Sequence, residues 1–231
     1  MKTIGLMGGM SWESTAEYYR IINEEVKARL GGFHSAKCVL DSVDFAEIEA
    51  LQRGQHWPKM AQILARSARS VEAAGADFIV LCTNTMHKVA ADIESAVRIP
   101  LLHIADATAK AVSARGLKKI GLLGTRFTME EDFYRGRLSR EHGIDVQVPD
   151  GPDREAVHRV IFQELVVGRV EPSSRQKLVS IIDGLARSGA EGVILGCTEL
   201  GLLLKEKDSP LPVFDTTLIH ARAAVELALK S

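Results

Sequence analysis

The sharpest chemical signal in the chain is a pair of cysteines, Cys82 and Cys197, set in the same kind of place. Each ends a short apolar run, 77–81 and 192–196, and opens a polar turn, Cys82-Thr83-Asn84-Thr85 and Cys197-Thr198-Glu199. Backbone N–H groups at the start of a helix lack intrahelical partners and favour an anion. A thiol placed there is expected to ionise more easily than at its usual pKa of about 8.5. Two such thiols suit one task in particular: one takes a proton from carbon and the other returns a proton to the opposite face. The carbanion or enediolate formed in between needs donors held in place. The side chains of Thr83, Asn84, Thr85, Thr125 and Thr198 are of that kind, and bind a carboxylate without adding a competing base. The third thiol, Cys38, falls inside a strand candidate and reads as core.

The elements that must position these residues are written twice. Lys2-Thr3-Ile4-Gly5-Leu6-Met7-Gly8 is echoed 116 residues on by Lys118-Lys119-Ile120-Gly121-Leu122-Leu123-Gly124. The run from Gly75 to Cys82-Thr83 is echoed by that from Gly189 to Cys197-Thr198, 115 residues on at the cysteine. Ile99-Pro100-Leu101-Leu102 is echoed 112 residues on by Leu211-Pro212-Val213-Phe214. Apolar runs predict strands at 3–7, 36–43, 77–81 and 100–103, then at 119–123, 144–148, 192–196 and 211–214. Helical periodicity predicts helices at 13–30, 58–74, 86–97, 105–115, 130–142, 154–167, 174–188 and 217–229. Ser11 is the expected N-cap of the first, and Gly31-Gly32 its end. Segments 52–58, 147–154 and 206–212 read as loops.

Strands alternating with helices predict an α/β fold of two duplicated lobes, each a parallel sheet flanked by helices. Ligands of such sheets bind beyond the carboxyl ends of the strands. That rule selects Gly8-Gly9-Met10-Ser11, Cys82 to Thr85, Gly124-Thr125-Arg126 and Cys197-Thr198-Glu199. Lobes facing each other would bring these loops to one cleft, the expected active site. Gln52 and Arg53 open the polar segment 52–58, a candidate lid whose Arg53 could pair with a substrate carboxylate.

Composition narrows the function further. Lys+Arg 29 against Asp+Glu 30 over 231 residues leaves a net charge of -1, without the electrostatic footprint of a nucleic-acid binder. No apolar run approaches the roughly 18 residues of a membrane helix. Three cysteines do not make a disulfide scaffold, and point to a reduced, cytoplasmic setting. Neither G-x-G-x-x-G nor G-x-x-x-x-G-K-[ST] occurs. His87 reads as a helix residue near the mouth of the cleft, and the other histidines form no ligand-spaced pair, so no metal site is expected.

Cys82-Thr83-Asn84-Thr85-Met86-His87 and Gly196-Cys197-Thr198-Glu199-Leu200 resemble the paired signatures of the aspartate/glutamate racemase family. The opening Ile4 to Thr15, His103 to Thr108, and Leu123 to Met129 are similar to it as well, so the resemblance runs the whole length. It is nearest to the bacterial broad-specificity amino-acid racemases. The resemblance implies two α/β lobes with the active site between them, a homodimer, and an amino acid as the substrate. It implies catalysis with no cofactor, neither pyridoxal phosphate nor metal. Carried over, Cys82 and Cys197 are the two bases, and Asn84, Thr85, Thr125 and Thr198 hold the α-carboxylate or amine. Arg53 meets the substrate side chain. The C-terminal helix returns to the first lobe, giving lobe 1 as 1–104 plus 209–231 and lobe 2 as 105–208. Relatives that prefer aspartate commonly carry Lys where this chain has Val166, after Ile161-Phe162-Gln163-Glu164-Leu165, which points to a wider substrate range.

Other reactions of the superfamily compete with this reading. Hydantoin racemisation stays open, and maleate isomerisation uses one cysteine as a covalent nucleophile. A decarboxylase of this type needs one cysteine, so two disfavour it. A two-lobed binding protein without catalysis has no need of two matched thiols.

Overall fold

The structure is a computed structural model, and it describes residues 1–230. The chain divides into two compact units, Met1–Ile104 with the C-terminal segment from His220, and Ala105–Ile219. The first contains β1 (Ile4–Gly8), α1 (Trp12–Leu30), β2 (Cys38–Ser42), α2 (Phe45–Arg53), α3 (Trp57–Ala73), β3 (Phe78–Leu81), a 3-10 turn at Thr85–Val89 and α4 (Ala90–Ser95). There follow α5 (Ile104–Ala114), β4 (Lys119–Gly124), α6 (Arg126–Glu130), α7 (Asp132–His142), β5 (Asp145–Gln147) and α8 (Gly151–Gln163). The chain ends with α9 (Pro172–Arg187), β6 (Gly192–Gly196), α10 (Leu200–Leu203), β7 (Val213–Asp215) and α11 (Thr216–Leu229).

Each unit carries its own parallel sheet, ordered β2-β1-β3 in the first and β5-β4-β6-β7 in the second. The duplication extends to single hydrogen bonds. The Ile79 amide donates to the Pro100 carbonyl at 2.8 Å, and the Val193 amide to that of Pro212 at 2.9 Å. In the second sheet this contact grows into β7. In the first it stays a lone bridge between Ile79 and Leu101, so the strand expected at 100–103 is reduced to one residue. Acids at equivalent places pin the strand starts: Asp77 accepts from the Thr3 amide at 2.6 Å, and Glu191 from those of Lys118 and Lys119 at 2.7 and 2.9 Å.

Helices cover both faces of the first sheet because strand side chains alternate. Met7 packs with Leu64, Ala68 and Val71 of α3, whose apolar residues recur at helical spacing. Gly8 faces α1, where an added Cβ would lie 2.3 Å from Cγ2 of Thr15, so only glycine admits that helix. Gly9 needs its glycine twice over, with φ at +91° and the Val43 carbonyl where a Cβ would stand. Ser11 caps α1, accepting from the Ser14 amide at 3.4 Å, and Gly31 ends it.

Several expectations need correction. A helix, α2, occupies 45–53, with Asp44 as its N-cap, so Gln52 and Arg53 stand in its last turn and the loop before α3 shrinks to 54–56. The loop expected at 147–154 ends at Asp150, whose carboxylate caps α8. The helix expected at 130–142 breaks at Glu131 into α6 and α7. The return to the first unit falls at His220, not 209, because β7 pairs with β6 and Thr216 donates to the Leu195 carbonyl at 2.8 Å. Cys38 begins an edge strand and is half-buried rather than core. Burial pushes its thiol up to about 11.

Candidate active site

In the first unit, β1 and β3 are neighbours, Met7 beside Leu81, so the turns after them emerge side by side. They carry Met10 on one and Cys82, Thr83, Asn84 and Thr85 on the other, all buried. In the second unit, β4 and β6 are neighbours, Gly124 beside Gly196, and their turns carry Thr125 and Cys197-Thr198. Thr125 is the N-cap of α6, accepting from the Thr128 amide at 3.3 Å, as Ser11 does on α1. Each unit therefore presents one thiol and one capped helix start at the carboxyl edge of its sheet. Gln52 is buried on α2, whereas the Arg53 side chain is 75% exposed and paired with Glu49 at 3.0 Å.

The thiols differ in their surroundings. The Cys82 Sγ is fully buried, its nearest acceptor the Val80 carbonyl at 3.7 Å. The Cys197 Sγ donates at 3.0 Å to Oε2 of Glu199, a buried carboxylate that also accepts from the Thr198 hydroxyl at 2.8 Å. Burial pushes both thiols well up from their ordinary value, with Cys38 adding to the effect on Cys82 and the Glu199 charge on Cys197. This overturns the expectation of easily ionised thiols. Burial outweighs whatever the helical turns beyond the thiols contribute.

Glu199, selected from the sequence only as part of the turn after β6, is in side-chain contact with the Cys197 thiol. The signal was its place two residues beyond a candidate base. His87, expected near the mouth of a cleft, is buried. It is 2% exposed, its Nδ1 at 2.8 Å from the Thr83 carbonyl and its Nε2 accepting from the Ile104 amide at 3.2 Å. Those partners fix a neutral ring with the proton on Nδ1. Its ring stands 4.5 Å from that of His103 and 6.0 Å from that of His220, a cluster that spacing along the chain conceals. Burial drives the His87 pKa well down, with His103 and His220 adding to it. His220 is lowered by burial to about 4, its Nδ1 at 2.9 Å from the Tyr18 hydroxyl and its Nε2 at 2.8 Å from the Leu102 carbonyl.

A model of the Asp/Glu/hydantoin racemase family matches residues 7–224. The chain belongs to that family; it is an enzyme, an isomerase. The broad-specificity amino-acid racemase RacX of Bacillus subtilis (strain 168) is 26% identical over 178 residues, 74% of this chain and 73% of that protein. A crystal structure from Yersinia pestis, of a protein whose description as an Asp/Glu racemase is provisional, is 57% identical. It covers both chains in full with a TM-score of 0.93. The crystal structure of an aspartate racemase homologue from Pyrococcus horikoshii OT3 is 37% identical, again over all of both chains, with a TM-score of 0.87.

Proposed function

We propose that the protein is a cofactor-independent racemase that interconverts L- and D-amino acids, aspartate and glutamate or a broader set, with Cys82 and Cys197 as the two bases. The observation that carries this reading is the repeated placement of a thiol at the end of the third strand of each unit, β3 and β6. Asn84, Thr85, Thr125 and Thr198 hold the α-carboxylate and amine, with Met10, Gln52, Arg53 and Thr83 completing the site. Of these, Arg53 must leave Glu49 to meet a substrate.

The raised thiols define what the reaction has to overcome. A bound substrate ammonium beside them favours the thiolate. Glu199 takes the Cys197 proton on Oε2, the atom already in contact. The thiolate then removes the α-proton: the Cα–H bond breaks, an S–H bond forms, and the electron pair moves into the carboxylate as an enediolate. Cys82 gives its own proton to the opposite face. The reverse reaction uses Cys82 as base and Cys197 as acid, and no electrons leave the substrate. Val166, in place of a lysine, leaves one partner fewer for a distal carboxylate and favours the broader range. The enzyme works in the cytoplasm as a homodimer.

Incubation of reduced protein with single L-amino acids, among them Asp, Glu, homoserine, Met and Ala, tests this without added cofactor. Chiral chromatography is expected to show the D-form of at least one. No D-form from any amino acid sinks the reading, and maleate and hydantoins would be tried next.

A further inference from the structure

Between the end of β3 at Leu81 and the 3-10 turn that starts at Thr85, no strand or helix fixes the backbone, yet this stretch carries Cys82, Thr83 and Asn84. The Cys82 amide donates to the Met7 carbonyl at 2.9 Å, which continues the pairing with β1 by one residue. Beyond it a side chain takes over. Nδ1 of His87 donates to the Thr83 carbonyl at 2.8 Å, and Nε2 of the same ring accepts from the Ile104 amide at 3.2 Å. Ile104 is the last residue of the first unit and the first of α5. As a helix-start amide it must find its acceptor outside the helix, and the ring provides it. Thr83 and Ile104 are both buried, where an unmet backbone group is costly.

The ring is itself held. His103 packs against it at 4.5 Å between centroids, and His220, where the chain re-enters the unit, stands at 6.0 Å. His220 is fixed in turn, donating from Nε2 to the Leu102 carbonyl and accepting at Nδ1 from the Tyr18 hydroxyl. The second unit lacks this device. His87 lies five residues beyond Cys82, and five beyond Cys197 stands Leu202, 47% exposed. There the turn closes on its own backbone, the Leu200 amide donating to the Cys197 carbonyl at 3.1 Å and the Leu202 amide to that of Glu199 at 3.0 Å.

We propose that His87 is a positioning residue for the first thiol. Its ring ties the Thr83 carbonyl to the start of α5, and so fixes where Cys82, Asn84 and Thr85 stand. The inference rests on the two-thiol reading and adds that the two sides of the reaction are held by different means. A displacement of about 1 Å at a reacting group can cost on the order of 100-fold in rate.

The test is α-proton loss in D2O, followed by proton NMR for each enantiomer separately, with circular dichroism to confirm folding. Cys82→Ser marks the enantiomer that needs Cys82 as base. His87→Leu fills similar space without either hydrogen bond. It is expected to lower kcat for exchange of that enantiomer about 30-fold or more, and for the other less than about threefold. His87→Asn, whose amide N–H can stand in for Nδ1, is expected to recover most of the loss. His87→Gln, whose amide reaches toward Ile104 instead, is not. Equal slowing of both enantiomers, no slowing in His87→Leu, or a Gln variant as active as the Asn variant would overturn the proposal. If His87→Leu does not fold, the contrast between Asn and Gln decides. Alkylation by iodoacetamide, read by peptide mass spectrometry, needs no turnover. Cys82 is expected to react about 10-fold faster in His87→Leu or His87→Gln than in the wild type, with Cys197 unchanged. An unchanged Cys82 rate would overturn the positioning role even in a protein that racemises nothing, so the two readings fail separately.

Discussion

The two thiols share a fold position but not an environment. Cys197 has a carboxylate in contact and Cys82 has none of that kind at hydrogen-bond distance. Because burial raises both thiols, kcat/KM is expected to climb with pH through the alkaline range, read from a pH profile. Glu199→Gln removes a charge that raises Cys197 and also the group that accepts its proton. It is expected to lower kcat about 100-fold while moving the profile to lower pH, a combination that simple unfolding does not produce. A second consequence concerns stability. His220 folds with a pKa of about 4, below its unfolded value of 6.5, so its contribution is present above pH 6.5 and is lost as pH falls toward 4. That is about 3 kcal/mol. Thermal unfolding midpoints are expected to fall over this window, and less steeply in His220→Gln.

At the scale of elements, the chain announces most of what positions the site. The spacing of Met60, Leu64, Ala68 and Val71 marks α3, and Ser11 and Gly31 mark the ends of α1. What stayed hidden has physical reasons. The helix α2 spans only nine residues, too few turns for its period to stand out from the chain around it, and Arg53 sits on a helix turn rather than a lid. The break between α6 and α7 comes without a Pro or Gly to mark it. The contact of Glu199 with Cys197 depends on a side-chain conformation that no spacing rule encodes. Close approach at Gly8 gives a prediction at this scale. Gly8→Ala forces its Cβ into Thr15, and is expected to destabilise the fold by roughly 1–3 kcal/mol in urea denaturation. Leu64→Ala, fully buried under the first sheet, is expected to cost about 2–5 kcal/mol by the same measurement.

At the scale of the molecule, the duplication explains why a chain of this length holds two of everything that matters: two sheets, two capped helix starts, two thiols. Repeat blocks near one offset make the duplication legible in the sequence, and the paired sheets carry the repeat down to the amides of Ile79 and Val193. The two halves are similar but not identical. The second kept β7 as a strand and gained the carboxylate beside its thiol, whereas the first kept a single bridge at Leu101 and a buried histidine cluster behind its turn. The central claim is that both thiols act on one α-carbon. Its most direct test is α-proton exchange in D2O, followed by proton NMR for each enantiomer of a substrate that racemises. The wild type is expected to exchange both enantiomers and to interconvert them. Cys82→Ser and Cys197→Ser should each abolish interconversion, and each should retain slow exchange of at most one enantiomer, a different one in each variant. Interconversion that survives either substitution at the wild-type rate would contradict the two-thiol account.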